Sequence, residues 1–129
     1  MSELIWPNYY PEHCPPKEAS ALDSTVFRLC KNNPPSNNDF IPYVILYPER
    51  NFIGQECQSC GVSVYNDIED IKSLRKIHKG LRKQYICSGQ ITQKTGLALA
   101  TPVKGNSHTT WWIASGRKPN ELFEASAGE

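Results

Sequence analysis

Residues 61–83, GVSVYNDIEDIKSLRKIHKGLRK, constrain the fold of this chain more than any other stretch. GVSVY reads as a short strand, and it runs with no loop into a helical pattern. Asn66 is the expected N-cap, with Glu69 three residues on to complete a capping-box-like pair. Ile68, Ile71 and Leu74 recur on one side, and Ile77 or Leu81 continues that stripe. Asp67, Glu69 and Asp70 fill the first turn while bases fill the last, as the helix dipole favours. Gly80 is the expected stop. A strand feeding an amphipathic helix requires a sheet with that helix packed on one face.

The remaining segments supply the sheet. STVFRLC (24–30) alternates as a strand, with Val26, Arg28 and Cys30 on one face and Phe27 and Leu29 on the other. KNNPPSNND is a loop, and FIPYVILY, interrupted by Pro42, is either a short helix or an edge strand. QYICSGQIT and LALAT are strands joined through QKTG, for which a hairpin is the simple reading, and HTTWWIAS is a further strand. GRKPNELFEA is expected to be a turn and a short helix. This order predicts a single α+β domain with a mainly antiparallel sheet, continuous or split, and one main helix. Residues 1–22 read as an extended Pro/aromatic arm laid over a core at 23–125, because Trp6, Tyr9 and Tyr10 accompany the prolines and disordered segments are poor in aromatics.

At 129 residues the chain is long enough for one hydrophobic core. The net charge of +1 gives no global field toward nucleic acid or membrane. No apolar run approaches the roughly 18 residues of a membrane span. The start, MSELIWPNYYPEH, lacks the basic and apolar regions of a signal peptide, so a cytoplasmic location is expected. Five cysteines, an odd number, then read as free thiols. Cys57 and Cys60 form CQSC, the one candidate metal pair, but no second pair completes four ligands and no metal is expected.

Three constellations carry possible chemistry. Lys72, Arg75, Lys76, Lys79 and Lys83 follow helical spacing as one basic stripe, either a solvated face or a contact for nucleic acid or an acidic protein. In NSHTTWWIAS, alternation puts His108, Thr110 and Trp112 on one face and Thr109, Trp111 and Ile113 on the other. Trp111 is then the core residue. Trp112 either covers a second layer or the arm, or lines a crevice where an indole stacks on a flat ring beside His108. Arg28, between apolar face neighbours, needs acceptors or an anion such as a phosphate or carboxylate.

Arg28 in VFR, the unit GVSVYNDIEDIKSL and the later polar-aromatic strand together resemble small bacterial ADP-ribosyltransferase-like domains, including RES-type NAD-degrading toxins. The resemblance covers about residues 24–113. It implies a split sheet with NAD in its cleft, Arg28 on the NAD phosphates or ribose, Ser63 and Tyr65 beside the nicotinamide or its ribose, and His108 in the third position. Thr110 and Trp112 would line the cofactor site. No glutamate stands on the third candidate strand, and Glu121 and Glu124 come later, so a glycohydrolase-like role is implied as well as transfer. The competing expectation is a non-enzymatic small subunit or immunity-type protein, which binds a protein through residues 1–16 or a partner through the basic stripe.

Overall fold

Strand β1 (Ser24–Cys30) opens the core, followed by one helical turn, α1 (Tyr43–Leu46). β2 (Val62–Tyr65) leads into α2 (Ile68–Ile77), and β3 (Tyr85–Ile91), β4 (Gly96–Ala100), β5 (His108–Ile113) and β6 (Phe123–Ala125) complete the chain. The computed structural model describes residues 4–125, so the first three residues of the arm lie outside the described residues. The six strands form one antiparallel sheet in the order β4–β5–β2–β1–β3–β6. The chain is thus a single α+β domain with one main helix.

The sheet is weakest at its centre. β1 pairs β3 along its whole length, from Ser24↔Ile91 to Cys30↔Tyr85, but meets β2 only at Phe27↔Tyr65. Two three-stranded halves therefore share one pair and part beyond it. The sheet also bends. β5 and β6 stand four strand spacings apart, about 19 Å if the sheet were flat. Yet the rings of Trp111 and Phe123 have centroids 5.9 Å apart. The concave face so formed holds the main core: Val26, Cys30, Val62, Val64, Cys87, Ile91 and Trp111, closed by Phe40. Gly89 on β3 lets Phe123 lie down, since a Cβ there would stand 2.6 Å from that ring.

The convex face is covered in two places. Ile68, Ile71 and Leu74 of α2 pack on Phe27, Leu29, Tyr65 and Ile86, the stripe expected from the 3.6-residue period. The arm covers the other end, with Trp6 and Tyr10 packed against Trp112. Ser20 exchanges both main-chain hydrogen bonds with Ala98, so the arm also closes the exposed edge of β4.

Several expectations are corrected. β3 and β4 form no hairpin: β1 and β6 occupy both edges of β3, and the turn at Thr92–Thr95 carries the chain to the other half-sheet. The C-terminal segment is a 3-10 turn (Pro119–Glu121) followed by β6, with no longer helix. α2 is capped by Asp67, whose carboxylate accepts the Glu69 N–H at 2.9 Å, and not by Asn66, which donates to Thr109 Oγ1. It ends at Ile77, before Gly80, because His78 is extended (φ −100°, ψ 109°). FIPYVILY resolves as the short helix α1, started by Pro42. The cysteines are not all free: Cys14 and Cys57 form a disulfide, and Cys30, Cys60 and Cys87 are buried thiols. No helix among the described residues is long and apolar enough to cross a membrane.

Candidate functional site

Between the α2 cover and the arm cover, the convex face is left open. A cleft of about 1010 Å³ occupies this gap and runs to the place where β1 and β2 part. Its floor carries Ser63 and Tyr65 from β2 and His108 and Thr110 from β5, and Arg28, which shares the concave side of β1 with Val26 and Cys30, lines it from the parting. β2 and β5 are paired in register, Ser63 with Thr110 and Tyr65 with His108, so these four side chains share one face by strand alternation. Its rim is apolar and exposed: Tyr43 and Leu46 on α1, Tyr47 just after it, Ile77 at the end of α2, and Val103.

Arg28 fills the parting of the half-sheets. Its Nε donates to the Asp39 carbonyl at 2.9 Å and its Nη1 to the Ser63 carbonyl at 2.6 Å, and its guanidinium lies 5.5 Å over the Phe40 ring. Burial lowers its pKa from the ordinary value, against the opposing pull of Cys30, Tyr43 and Asp39; a guanidinium stays charged even so. No carboxylate pairs with it among the described residues. The Asp39 carboxylate is turned away and accepts from Lys31 N, Ser36 N and Asn32 Nδ2. Burial alone would raise its pKa, but these donors outweigh burial and hold it below the usual value. The cleft therefore carries a guanidinium that no carboxylate hydrogen-bonds among the described residues, with Asp39 acting on it only through space, and this suits an anionic ligand.

His108 is held by its neighbours on every side. Its Nε2 lies 2.8 Å from Ser63 Oγ, its Nδ1 lies 2.9 Å from the Thr101 carbonyl, and the edge-on Tyr65 ring stands 5.3 Å away. Thr101 Oγ1 bridges Nδ1 and Thr110 Oγ1 at 2.9 and 2.8 Å. Behind His108, the Asp70 carboxylate on α2 accepts the Ser107 N–H at 2.8 Å and ties the preceding loop to the helix. Burial, with lesser contributions from Tyr43 and Asp70, raises the Tyr65 pKa, so its phenol remains a donor.

Arg28, Ser63, Tyr65, His108 and Thr110 are thus brought together, and Ser63 joins them: its carbonyl accepts Arg28 and its hydroxyl meets His108. Trp112 is not with them. It is 1% exposed under the arm, and its indole N–H donates to the Cys57 carbonyl at 2.8 Å, so it presents no free face for stacking. Cys57 is committed to its disulfide, and no group of three His, Cys, Asp or Glu side chains among the described residues is placed to hold a metal. The basic stripe is also broken. Lys72, Arg75 and Lys76 lie on α2, Lys79 sits in the next 3-10 turn (Lys79–Leu81) and Lys83 beyond it. Lys72 pairs with Glu69 at 3.6 Å, and Arg75 donates to the Gln84 carbonyl at 3.1 Å. Sequence reasoning missed Thr101, which meets His108 through its hydroxyl and its carbonyl; the pairing is a tertiary contact, and the carbonyl leaves no trace in residue type. It also missed Tyr43 and Tyr47, whose exposure beside the cleft could not be read from an apolar run. No protein-family model matches the chain, and no match was found among curated proteins or solved structures.

Proposed function

We propose that this protein binds NAD or a related nucleotide and acts on its glycosidic bond, in the manner of an ADP-ribosyltransferase or NAD glycohydrolase, as a bacterial toxin or defence effector of the cytoplasm. One observation carries the reading: a half-buried Arg with no carboxylate hydrogen-bonded to it among the described residues and the Ser63–His108 pair line one cleft at the parting of two half-sheets. Arg28 would clamp a phosphate through the donor capacity its two carbonyl bonds leave free. Ser63, Tyr65 and His108 would hold the ribose as oxocarbenium-like charge develops. Tyr43 and Tyr47, exposed on the rim, take the stacking role expected of Trp112.

The test is calorimetric titration with NAD, followed by assay of nicotinamide release. Wild type should bind and turn over NAD. His108→Ala and Arg28→Lys should each lose at least about tenfold in turnover while keeping a native unfolding transition, since one mispositioned clamp costs that much. Arg28→Lys is preferred to Arg28→Ala, which strands two carbonyls and endangers the fold. A folded wild type with no heat of NAD binding would sink the proposal. The rival reading, a non-enzymatic module that grips a protein through its arm or nucleic acid through its basic residues, draws on the exposed Ile53 and on Ile77 at the cleft. It predicts a pull-down that depends on Lys76 and survives loss of His108.

A further inference from the structure

The hydrogen bonds of His108 have a direction that residue types alone do not reveal. A carbonyl oxygen can only accept. The Thr101 carbonyl, 2.9 Å from Nδ1, is a hydrogen-bond partner only in the tautomer with the proton on Nδ1, and in that tautomer Thr101 Oγ1, also 2.9 Å from Nδ1, turns its own proton to Thr110 Oγ1. In the neutral ring Nε2 is then a bare lone pair, and its partner at 2.8 Å is the Ser63 hydroxyl. The hydroxyl therefore donates to the imidazole. Serine, imidazole and a third acceptor stand in the order nucleophile, base and orienter. Thr101 grips the other side of the residue too, since its N–H donates to the His108 carbonyl at 3.0 Å. Ser63 is half-buried and lines the cleft. The Arg28 guanidinium holds the Ser63 main-chain carbonyl at 2.6 Å and so fixes the backbone that carries the hydroxyl.

We propose that Ser63 is an activated nucleophile, with His108 as its general base and Thr101 as the positioning residue, and that the cleft hydrolyses small apolar carboxylic esters. In acylation the Ser63 Oγ–H proton passes to His108 Nε2 as the Oγ–carbonyl carbon bond forms. The ester C–O bond breaks, and the leaving alkoxide takes the proton back from Nε2. In deacylation His108 removes a proton from water, hydroxide attacks the acyl-serine, and the acid leaves as Ser63 regains its proton. The apolar rim of Leu46, Phe52 and Val103 receives the acyl chain. A carbonyl orients the imidazole but brings no full negative charge to the imidazolium, so turnover is modest beside that of a carboxylate triad.

This activity shares the cleft with the NAD reading but does not depend on it. The experiment is labelling of the purified full chain with a fluorophosphonate probe, the modified residue located by peptide mass spectrometry. Hydrolysis of p-nitrophenyl butyrate is followed in parallel. The expected results are label on Ser63, no label in Ser63→Ala, and at least a hundredfold slower labelling in His108→Gln. Ser63→Cys should still be acylated by the ester, which separates loss of a nucleophile from loss of the fold. An unlabelled, folded wild type overturns the proposal, and so does labelling of Ser63 at the same rate in His108→Gln. A wild type that binds NAD but resists the probe removes this inference alone. One that takes the label but binds no NAD removes the other alone.

Discussion

Trp111 and Trp112 are neighbours in sequence with opposite environments. Each is 1% exposed, Trp111 in the concave core and Trp112 beneath the arm. Their polar atoms differ more. The Trp112 N–H donates to the Cys57 carbonyl, whereas the Trp111 N–H, buried against Phe123, has no partner among the described residues. Removing a partner from a buried carbonyl costs about 1–3 kcal/mol, while removing an already unpaired donor costs no hydrogen bond. Trp112→Phe should therefore destabilise the protein by about 1–3 kcal/mol more than Trp111→Phe, read from urea unfolding midpoints. Equal losses would mean that the Cys57 contact contributes nothing.

Helix α2 works on the site through its first turn. Asp70 accepts from Ser107, one residue before His108, and so connects the helix to the strand that carries the imidazole. Hydrogen bonds from the Ser107 side chain and then its N–H lower the Asp70 pKa below its ordinary value of 3.8. The sign follows from linkage: a depressed folded pKa gives stability that is present above the ordinary value and lost as pH falls through the folded one. Asp70→Asn should therefore be less stable than wild type at neutral pH, with the gap closing below about pH 4. A gap that stays constant across a pH series of thermal unfolding would show that the carboxylate charge is not what holds the loop.

Taken whole, the molecule is two half-sheets that share the concave core and the α2 cover, the single Phe27↔Tyr65 pair and the Arg28 bonds to Asp39 and Ser63. The Cys14–Cys57 disulfide ties the arm to the segment before β2 across 43 residues. Closing a loop of that length removes unfolded-state entropy worth about 4 kcal/mol. Reduction, or Cys14→Ser, should lower stability by up to about that amount and loosen the cover over Trp112, seen as a red shift of tryptophan emission. A reducing compartment opens such a bond and an oxidising one keeps it, so the same measurement with and without thiol reports both states.

The amino-acid sequence alone determined the elements whose periodicity is local. The alternation of VFRLC and HTTWWI set which side chains share a face, and the Ile68, Ile71, Leu74 stripe set the buried side of α2. It therefore also placed Ser63 and Tyr65 on one strand, and His108 and Thr110 on another. Only the tertiary structure decided which strands are neighbours. Pairing is a long-range choice, and the turn after β3 looks the same whether it closes a hairpin or crosses to the other half-sheet. The burial of Trp112 was decided there too, because a covered face and a cleft-lining face have the same alternation until the arm is laid down. The Cys14–Cys57 bond and the Thr101–His108–Ser63 relay belong to the same class. Each joins groups far apart in sequence, the relay partly through a main-chain carbonyl that every residue possesses.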